Sequence, residues 1–463
     1  MIGPVEFFVD LKRNAGAPLR RRLEREIRDA VRAGRLAPGT ALPSTRALSA
    51  QLGVSRGVVV ESYEQLVAEG WLSARQGAAT VVAARAGAGG EQPRRRAPAT
   101  AEVVPRYDFR YGTPDLSTFP RAAWLAAGAR TLRALPDAGL GYSDGRGAIE
   151  LREALAAYLG RVRGVVADPA LMVISGGTRH ALGLVWRVLR EAGARRVAIE
   201  DPGWSAQRET ALEAGLDAVP VGVDERGMRV GELEDLDVDA VALTPAHQCP
   251  TGAVLAPDRR AALLEWARRR DAYVVEDDYD AEYRYDREPV GAVQGMAPER
   301  VVYAGSASKT LAPALRIGWL VLPERLAEPT ARRRLHDDRG RPLFDQLTLA
   351  DLVAAGELDR HLRRTRRRYR ARRDALVGAV ATSLPGGAVE GIAAGLHAVV
   401  RLPGACDEAA TVAAVADRGI ALDGLASFFA AGRSPHPAVV LGYANLPEPS
   451  IARGIAELAR ALR

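Results

Sequence analysis

From Pro18 onward, apolar residues recur at helical spacing. Leu19, Leu23, Ile27 and Val31 fall at every fourth position of LRRRLEREIRDAVRAG, with charges between them. That spacing gathers the apolar side chains on one face and predicts an amphipathic helix, closed by Gly34. A loop with Pro38, Gly39 and Pro43 follows. The pattern then predicts a short helix over Thr45–Leu52, a turn at Gly53, and a second helix from Ser55 to Ala68 stopped by Gly70. WLSARQGAATVVA has two apolar arms around Gly77 and reads as a β-hairpin.

Residues 83–106 have no apolar periodicity and are rich in Ala, Gly, Pro and Arg, the composition of a linker. Beyond Tyr107, helical stretches alternate with short β-rich runs: LMVIS (171–175), RVAIE (196–200), AVALT (240–244), YVVED (273–277) and VVYAG (301–305). This is the rhythm of βαβ units, and it predicts an α/β body with a mostly parallel sheet between helices. The expected organisation is a small helical head over 1–82, a linker over 83–106, and a body over 107–463 whose smaller C-terminal subdomain starts near 326.

Composition narrows the class. With 463 residues, 48% of them hydrophobic, the chain can bury a sizeable core in more than one domain. No apolar run approaches the length of a membrane span, and MIGPVEFFVDLKRN lacks a basic-then-apolar leader, so a cytoplasmic protein without a membrane partner is expected. Two cysteines, Cys249 and Cys406, are too few for a disulfide scaffold or a cysteine-rich zinc site, and no metal site is expected. The net charge of +7 is unevenly spread: residues 1–105 hold 16 Lys+Arg against 10 Asp+Glu, which leaves the body nearly neutral. A basic head suggests a polyanion partner. Of the 64 basic residues only Lys12 and Lys309 are lysines. A guanidinium cannot serve as an amine nucleophile, so a lysine kept in an arginine-using chain is a candidate for amine chemistry. Lys12, near the N-terminus, reads as incidental.

Three helices followed by a hairpin are the winged helix-turn-helix plan, in which one helix enters the major groove of double-stranded DNA. The segment PSTRALSAQLGVSRGVVVESYEQLVAEGWL, residues 43–72, resembles the GntR-type regulators. The resemblance implies DNA contacts from Ser44 and Arg46 at the start of the positioning helix and from Ser55 and Arg56 at the start of the recognition helix. It also implies a wing that approaches the backbone at Gly77. Val58 stands where that family usually has Thr, which removes one hydroxyl.

Lys309 lies in GSASKTLAPALRIGW. A phosphate-binding P-loop does not fit, because Ser308 takes the place of the glycine before the lysine. The pattern S-x-S-K followed by R-x-G instead resembles the pyridoxal-phosphate segment of fold-type I aminotransferases. There the lysine forms a Schiff base with the cofactor aldehyde, and Ser306, Ser308 and Arg316 suit its phosphate. Other segments fall in that family's order. ISGGTRHAL implies a phosphate cup at Gly177 and Thr178. EDPGW implies ring stacking by Trp204. VVEDDYD implies Asp277 at the ring nitrogen and Tyr279 at the phenolate oxygen. TPAHQCPTG implies contacts from His247 and Gln248 beside that oxygen, and YSDGRGAIELR implies that Tyr142 reaches the partner subunit's phosphate.

Together the head, linker and body resemble the MocR/GabR-type bacterial regulators. That resemblance implies a homodimer, head-to-tail with swapped domains. It also implies binding to a DNA operator and a body that senses an amine, an amino acid or pyridoxal phosphate itself. Aminotransferases usually clamp the substrate α-carboxylate with an Arg in a strand reading R-[LI]-[GS]-[FY]-[AS]; here VLGYA puts Val440 at that place. Weak or absent transamination of α-amino acids is therefore expected, with Arg401 and Arg433 as possible substitutes for the clamp. The competing expectation is a working aminotransferase that carries a DNA-binding appendage.

Overall fold

The computed structural model describes residues 17–75, 78–84, 105–141, 144–286, 290–338, 340, 342–404 and 406–462. Lys12, Gly77 and Tyr142 lie outside them. The chain divides into two compact units, Met1–Val103 and Val104–Arg463.

In the first unit α1 (Leu19–Arg32), α2 (Thr45–Leu52) and α3 (Arg56–Ala68) precede β1 (Leu72–Ser73) and β2 (Val81–Val82). The apolar face of α1 points inward: Leu23, Ile27 and Val31 pack with Leu48, Val59, Leu66 and Val82 in one core. β1 and β2 are antiparallel, with Leu72 opposite Val82. The starts of α2 and α3 are each capped by a serine that the sequence offers. Ser44 Oγ accepts from Ala47 N at 3.2 Å and Ser55 Oγ from Val58 N at 3.4 Å, satisfying donors that the first helical turn leaves free. Arg28 of α1 holds Glu69, just past α3, at 2.8 Å, a link the hydrophobic pattern does not reveal.

The second unit begins with β3 (Tyr107–Asp108), α4 (Arg121–Ala134) and α5 (Ile149–Arg163). It continues through β4 (Met172–Ser175), α6 (Thr178–Glu191), β5 (Arg196–Asp201), α7 (Ser205–Glu213), β6 (Asp217–Asp224), β7 (Gly227–Met228), β8 (Ala240–Leu243), α8 (Pro257–Arg269), β9 (Tyr273–Asp278), β10 (Val301–Ser306) and β11 (Gly318–Val321). It ends with α9 (Glu324–Asp338), α10 (Leu343–Ala354), α11 (Glu357–Ser383), β12 (Ala388–Glu390), β13 (His397–Arg401), α12 (Glu408–Ala416), β14 (Ile420–Ala421), β15 (Asp423–Gly424), β16 (Ala438–Gly442) and α13 (Glu448–Ala461).

Eight strands form the main sheet in the order β4-β11-β10-β9-β8-β5-β6-β7. β10, β9, β8, β5 and β6 are parallel, each to the next. The apolar runs of β5, β8, β9 and β10 are buried on both faces, as strands covered by helices must be, whereas β6 is mostly half-exposed. β11 is antiparallel to both β10 and β4, and the edge strand β7 is antiparallel to β6. The β10–β11 pairing sets Ser306 opposite Gly318, so the whole Lys309 to Arg316 connection is held at one end of the sheet.

A second sheet, β12-β13-β16-β15, is antiparallel throughout. The smaller subdomain does not follow a single cut in the sequence. α9, expected at its start, packs through Leu326, Ala327 and Ala331 against the core of the main sheet. β3, from the beginning of the unit, pairs with β14 near the end. No helix among the described residues is long and apolar enough to cross a membrane.

Candidate functional site

The carboxyl ends of β4, β5, β8, β9 and β10 point the same way, and the loops beyond them line a cavity of about 520 Å³. Ligands in open α/β sheets lie in such crevices, because the loops there converge while the strands stay rigid. Lys309 is on the wall, with Thr178, Trp204, Asp277, Tyr279, Ser306, Ser308 and Arg316. Residues spread over nearly 140 positions are thus brought together by strand order.

Strand alternation sorts the two aspartates at the end of β9. Asp277 faces the cavity. Asp278 turns away into a buried pair with Arg163 at 2.7 Å and accepts from Tyr303 Oη at 2.7 Å. Asp277 Oδ2 accepts from Gln207 Nε2 at 3.3 Å, whereas Oδ1 is buried and has no hydrogen-bond partner among the described residues. Burial pushes this carboxyl up to about 7, against the pull of the Gln207 hydrogen bond and the Lys309 charge. Lys309 is depressed from its ordinary value, again by burial, and its Nζ donates to Gly112 O at 2.5 Å. Gly112 adopts φ +85°, and a Cβ there would sit 2.9 Å from Lys309 Nζ, so the position needs glycine on both counts.

At the other side of the amine, Ser306 Oγ donates to Ser308 Oγ at 2.9 Å and accepts from Ser308 N at 3.1 Å. Arg316 adopts φ +51°, rare for a residue with a side chain, and has no carboxylate partner among the described residues. Its guanidinium comes within 3.6 Å of where a Cβ on Gly177 would lie. Gly177, at φ +97°, opens the fourteen-residue helix α6 with no side-chain cap. A free helix N-terminus, two hydroxyls and an unpaired guanidinium converge, which is a set of donors suited to a phosphate dianion.

Two expected contacts fall elsewhere. His247 and Gln248 do not line the cavity. His247 Nδ1 lies 3.1 Å from Asp280 and from Tyr279 Oη. Gln248 ties its loop to the one after β5, donating to Pro202 O, and accepts from Thr251 Oγ1 within its own turn. The loop residue on the wall is Cys249. The TPAHQCPTG segment was found from sequence, but its internal register depends on how the turn folds. Arg110, Tyr111, Gly112, Leu396, His397 and Asp423 also line the cavity and were not anticipated. The Gly-x-Pro turn in RYGTPD was the only local sign of the first three. Arg401, paired with Glu390 at 3.3 Å, and the exposed Arg433 are not on the wall.

In the head, Ser44, Arg46, Ser55 and Arg56 are all exposed at the starts of α2 and α3, and Arg56 Nε reaches Thr45 Oγ1 at 3.5 Å. Val58 is half-buried, and its backbone N–H is taken by the Ser55 cap. Among the described residues no group of His, Cys, Asp or Glu is placed to hold a metal ion.

The family of bacterial regulatory proteins of the gntR type matches residues 19–82, and the class I and II aminotransferases match residues 109–434. The chain is 33% identical to the HTH-type pyridoxine biosynthesis transcriptional regulator PdxR of Corynebacterium glutamicum, over 95% of each protein. It is also 33% identical to the probable rhizopine catabolism regulatory protein MocR of Rhizobium meliloti, over 97% of this chain and 94% of that one. Among solved structures it resembles the kynurenine aminotransferase of Pyrococcus horikoshii, with a TM-score of 0.71 and 27% identity over 78% of this chain and 91% of that one. Head and body thus match in one continuous alignment, and the chain belongs to the MocR- and PdxR-type HTH transcriptional regulators, a GntR helix-turn-helix joined to a class I/II aminotransferase domain.

Proposed function

We propose that this regulator holds pyridoxal phosphate on Lys309 and uses the occupied cavity to sense a small amine, or the cofactor itself, while its head grips a DNA operator. One observation carries the reading. A buried amine, a buried carboxylate oxygen without a partner among the described residues and a phosphate-sized cluster of donors share a single cavity. The cofactor, when bound, would supply an electrophilic carbonyl and an electron-withdrawing ring. The chain's residues do the rest. Lys309, its proton affinity lowered by burial, offers a neutral amine more readily than an exposed lysine would. Asp277 Oδ1 would accept a hydrogen bond from the protonated ring nitrogen, Trp204 would cover the ring face, and Ser306, Ser308, Thr178 and Arg316 would hold the phosphate. Cys249 and Tyr279 border the space for the phenolate oxygen.

Sensing rather than turnover follows from Val440. It is fully buried in an apolar cluster with Val399, Leu425 and Phe428, so the bidentate carboxylate clamp has no counterpart on that strand. The functional unit is proposed to be a head-to-tail homodimer. A ligand can change DNA affinity only by binding two dimer arrangements unequally. The names of two relatives concern pyridoxine biosynthesis and rhizopine catabolism, and both kinds of effector are therefore tested. The test is genome-wide mapping of the bound sites, then operator affinity of the purified protein with and without pyridoxal phosphate and with an added amine. Affinity indifferent to both, or multiple turnover with an amino acid and a keto acid, would defeat the reading.

A further inference from the structure

The end of the cavity where a carboxylate clamp is expected has the opposite charge. Val440 of β16 lies directly opposite Asp423 of β15 and Val399 of β13. Residues directly opposite in an antiparallel pair share a face of the sheet and stand as side-chain neighbours. An arginine at 440 would therefore lie beside Asp423 and neutralise it; valine leaves it uncompensated. Asp423 lines the cavity, and its Oδ2 accepts only the Tyr111 backbone N–H, at 3.2 Å, among the described residues. No guanidinium, ammonium or imidazole lies within ion-pair distance of it among them.

The other cations on the wall are committed elsewhere, Lys309 and Arg316 to the proposed cofactor site and the rest to carboxylates. Arg110 is paired with Asp108 at 2.7 Å, and Arg179 with Glu209 and Glu213 at 2.8 Å each. His397 stays neutral, because burial depresses it to about 4. Burial raises Asp423 above the usual carboxylate range, opposed by the Tyr111 hydrogen bond and the more distant Arg110 charge, which marks a carboxylate short of positive partners. The same short backbone stretch touches both functional groups: Tyr111 N meets Asp423, and Gly112 O meets Lys309 Nζ at 2.5 Å. Two residues of backbone span about 7 Å at most, so Asp423 lies within roughly 13 Å of the reactive amine, less along a bent path.

We infer that the cavity selects a primary amine carrying a second positive group and no carboxylate, a short diamine in its simplest form. One amino group meets the Lys309 end and the other pairs with Asp423. A ligand ending in a carboxylate meets Asp423 as a like charge at the same place. This inference rests on the proposed cofactor site and names the ligand class that the site takes.

Three probes of equal chain length isolate the distal group: putrescine with a cationic end, n-butylamine with a neutral end and γ-aminobutyrate with an anionic end. Each is titrated into the full chain loaded with pyridoxal phosphate. The readouts are the change in the visible cofactor band and the ligand-induced rise in Tm, neither of which needs turnover. Putrescine is expected to half-saturate at least about tenfold below γ-aminobutyrate, a gap of one opposed charge contact, with butylamine between them. Asp423→Asn should collapse that ratio to within about threefold while leaving the unliganded cofactor band unchanged. Equal or tighter binding of γ-aminobutyrate, a preference surviving in Asp423→Asn, or no response to putrescine overturns the inference. A wild-type chain that takes up no cofactor instead defeats the reading beneath it, and the Tm shifts still rank the three amines.

Discussion

The head and the body carry their proposed functional residues in opposite ways. In the head, Ser44, Arg46, Ser55 and Arg56 lie within thirteen consecutive positions, all exposed at two helix starts. In the body, the cavity is assembled from loops beyond five strands, from the turn after β3, and from two strands of the second sheet. A DNA backbone is long and regular, so a short exposed helix start can meet it. A small ligand must be surrounded, and only a folded sheet can bring groups to it from every side. The two functions should therefore fail separately.

Lys309→Ala is the largest break. The visible cofactor band should vanish entirely, and the DNA response to any ligand should vanish with it; a surviving band would remove Lys309 from its assigned place. Next is Asp277→Asn. Losing a charge-assisted hydrogen bond of about 1.5–3 kcal/mol should weaken cofactor affinity by roughly ten- to a hundredfold, measured by equilibrium dialysis. The same carboxylate predicts a pH dependence. Asp277 is pushed up to about 7 in the ligand-free site, and only its ionised form accepts from the ring nitrogen. Cofactor capture should rise as pH increases through about 7, reinforced by the growing neutral fraction of Lys309, and Asp277→Asn should flatten that rise.

Arg56→Ala has a smaller effect on the other function. Operator affinity should fall several-fold, and the slope of log affinity against log salt should shrink by about one, as expected for one lost phosphate contact. The cofactor band should not move, and a shifted band would show that head and body are not separable. Smallest is Ser55→Ala, which removes the cap of α3. It should cost the head about 1 kcal/mol in its unfolding transition with the cofactor spectrum unchanged.

Much of this was legible because it rests on local rules. The spacing of Leu23, Ile27 and Val31, the serines at the helix starts and the buried runs of β5, β8, β9 and β10 each follow from residues close in sequence. Lys309 stood out because the chain otherwise uses arginine. β11 was missed because Gly318–Val321 is too short to show whether it runs parallel or antiparallel. His247 and Gln248 were placed on the wall instead of Cys249 because a one-residue shift inside a turn exchanges inward for outward side chains.

The sequence by itself determined the two units, the helical head, the mostly parallel sheet and the choice of Lys309 as the proposed cofactor lysine, since propensity, periodicity and chemical type are properties of neighbouring residues. Only the tertiary structure decided which groups share the cavity. Val440 could be read as a missing arginine from its motif alone. That Asp423 stands opposite it depends on the register of two strands that bring together residues seventeen positions apart, and cross-strand register is set by turn geometry and core packing rather than by any local pattern.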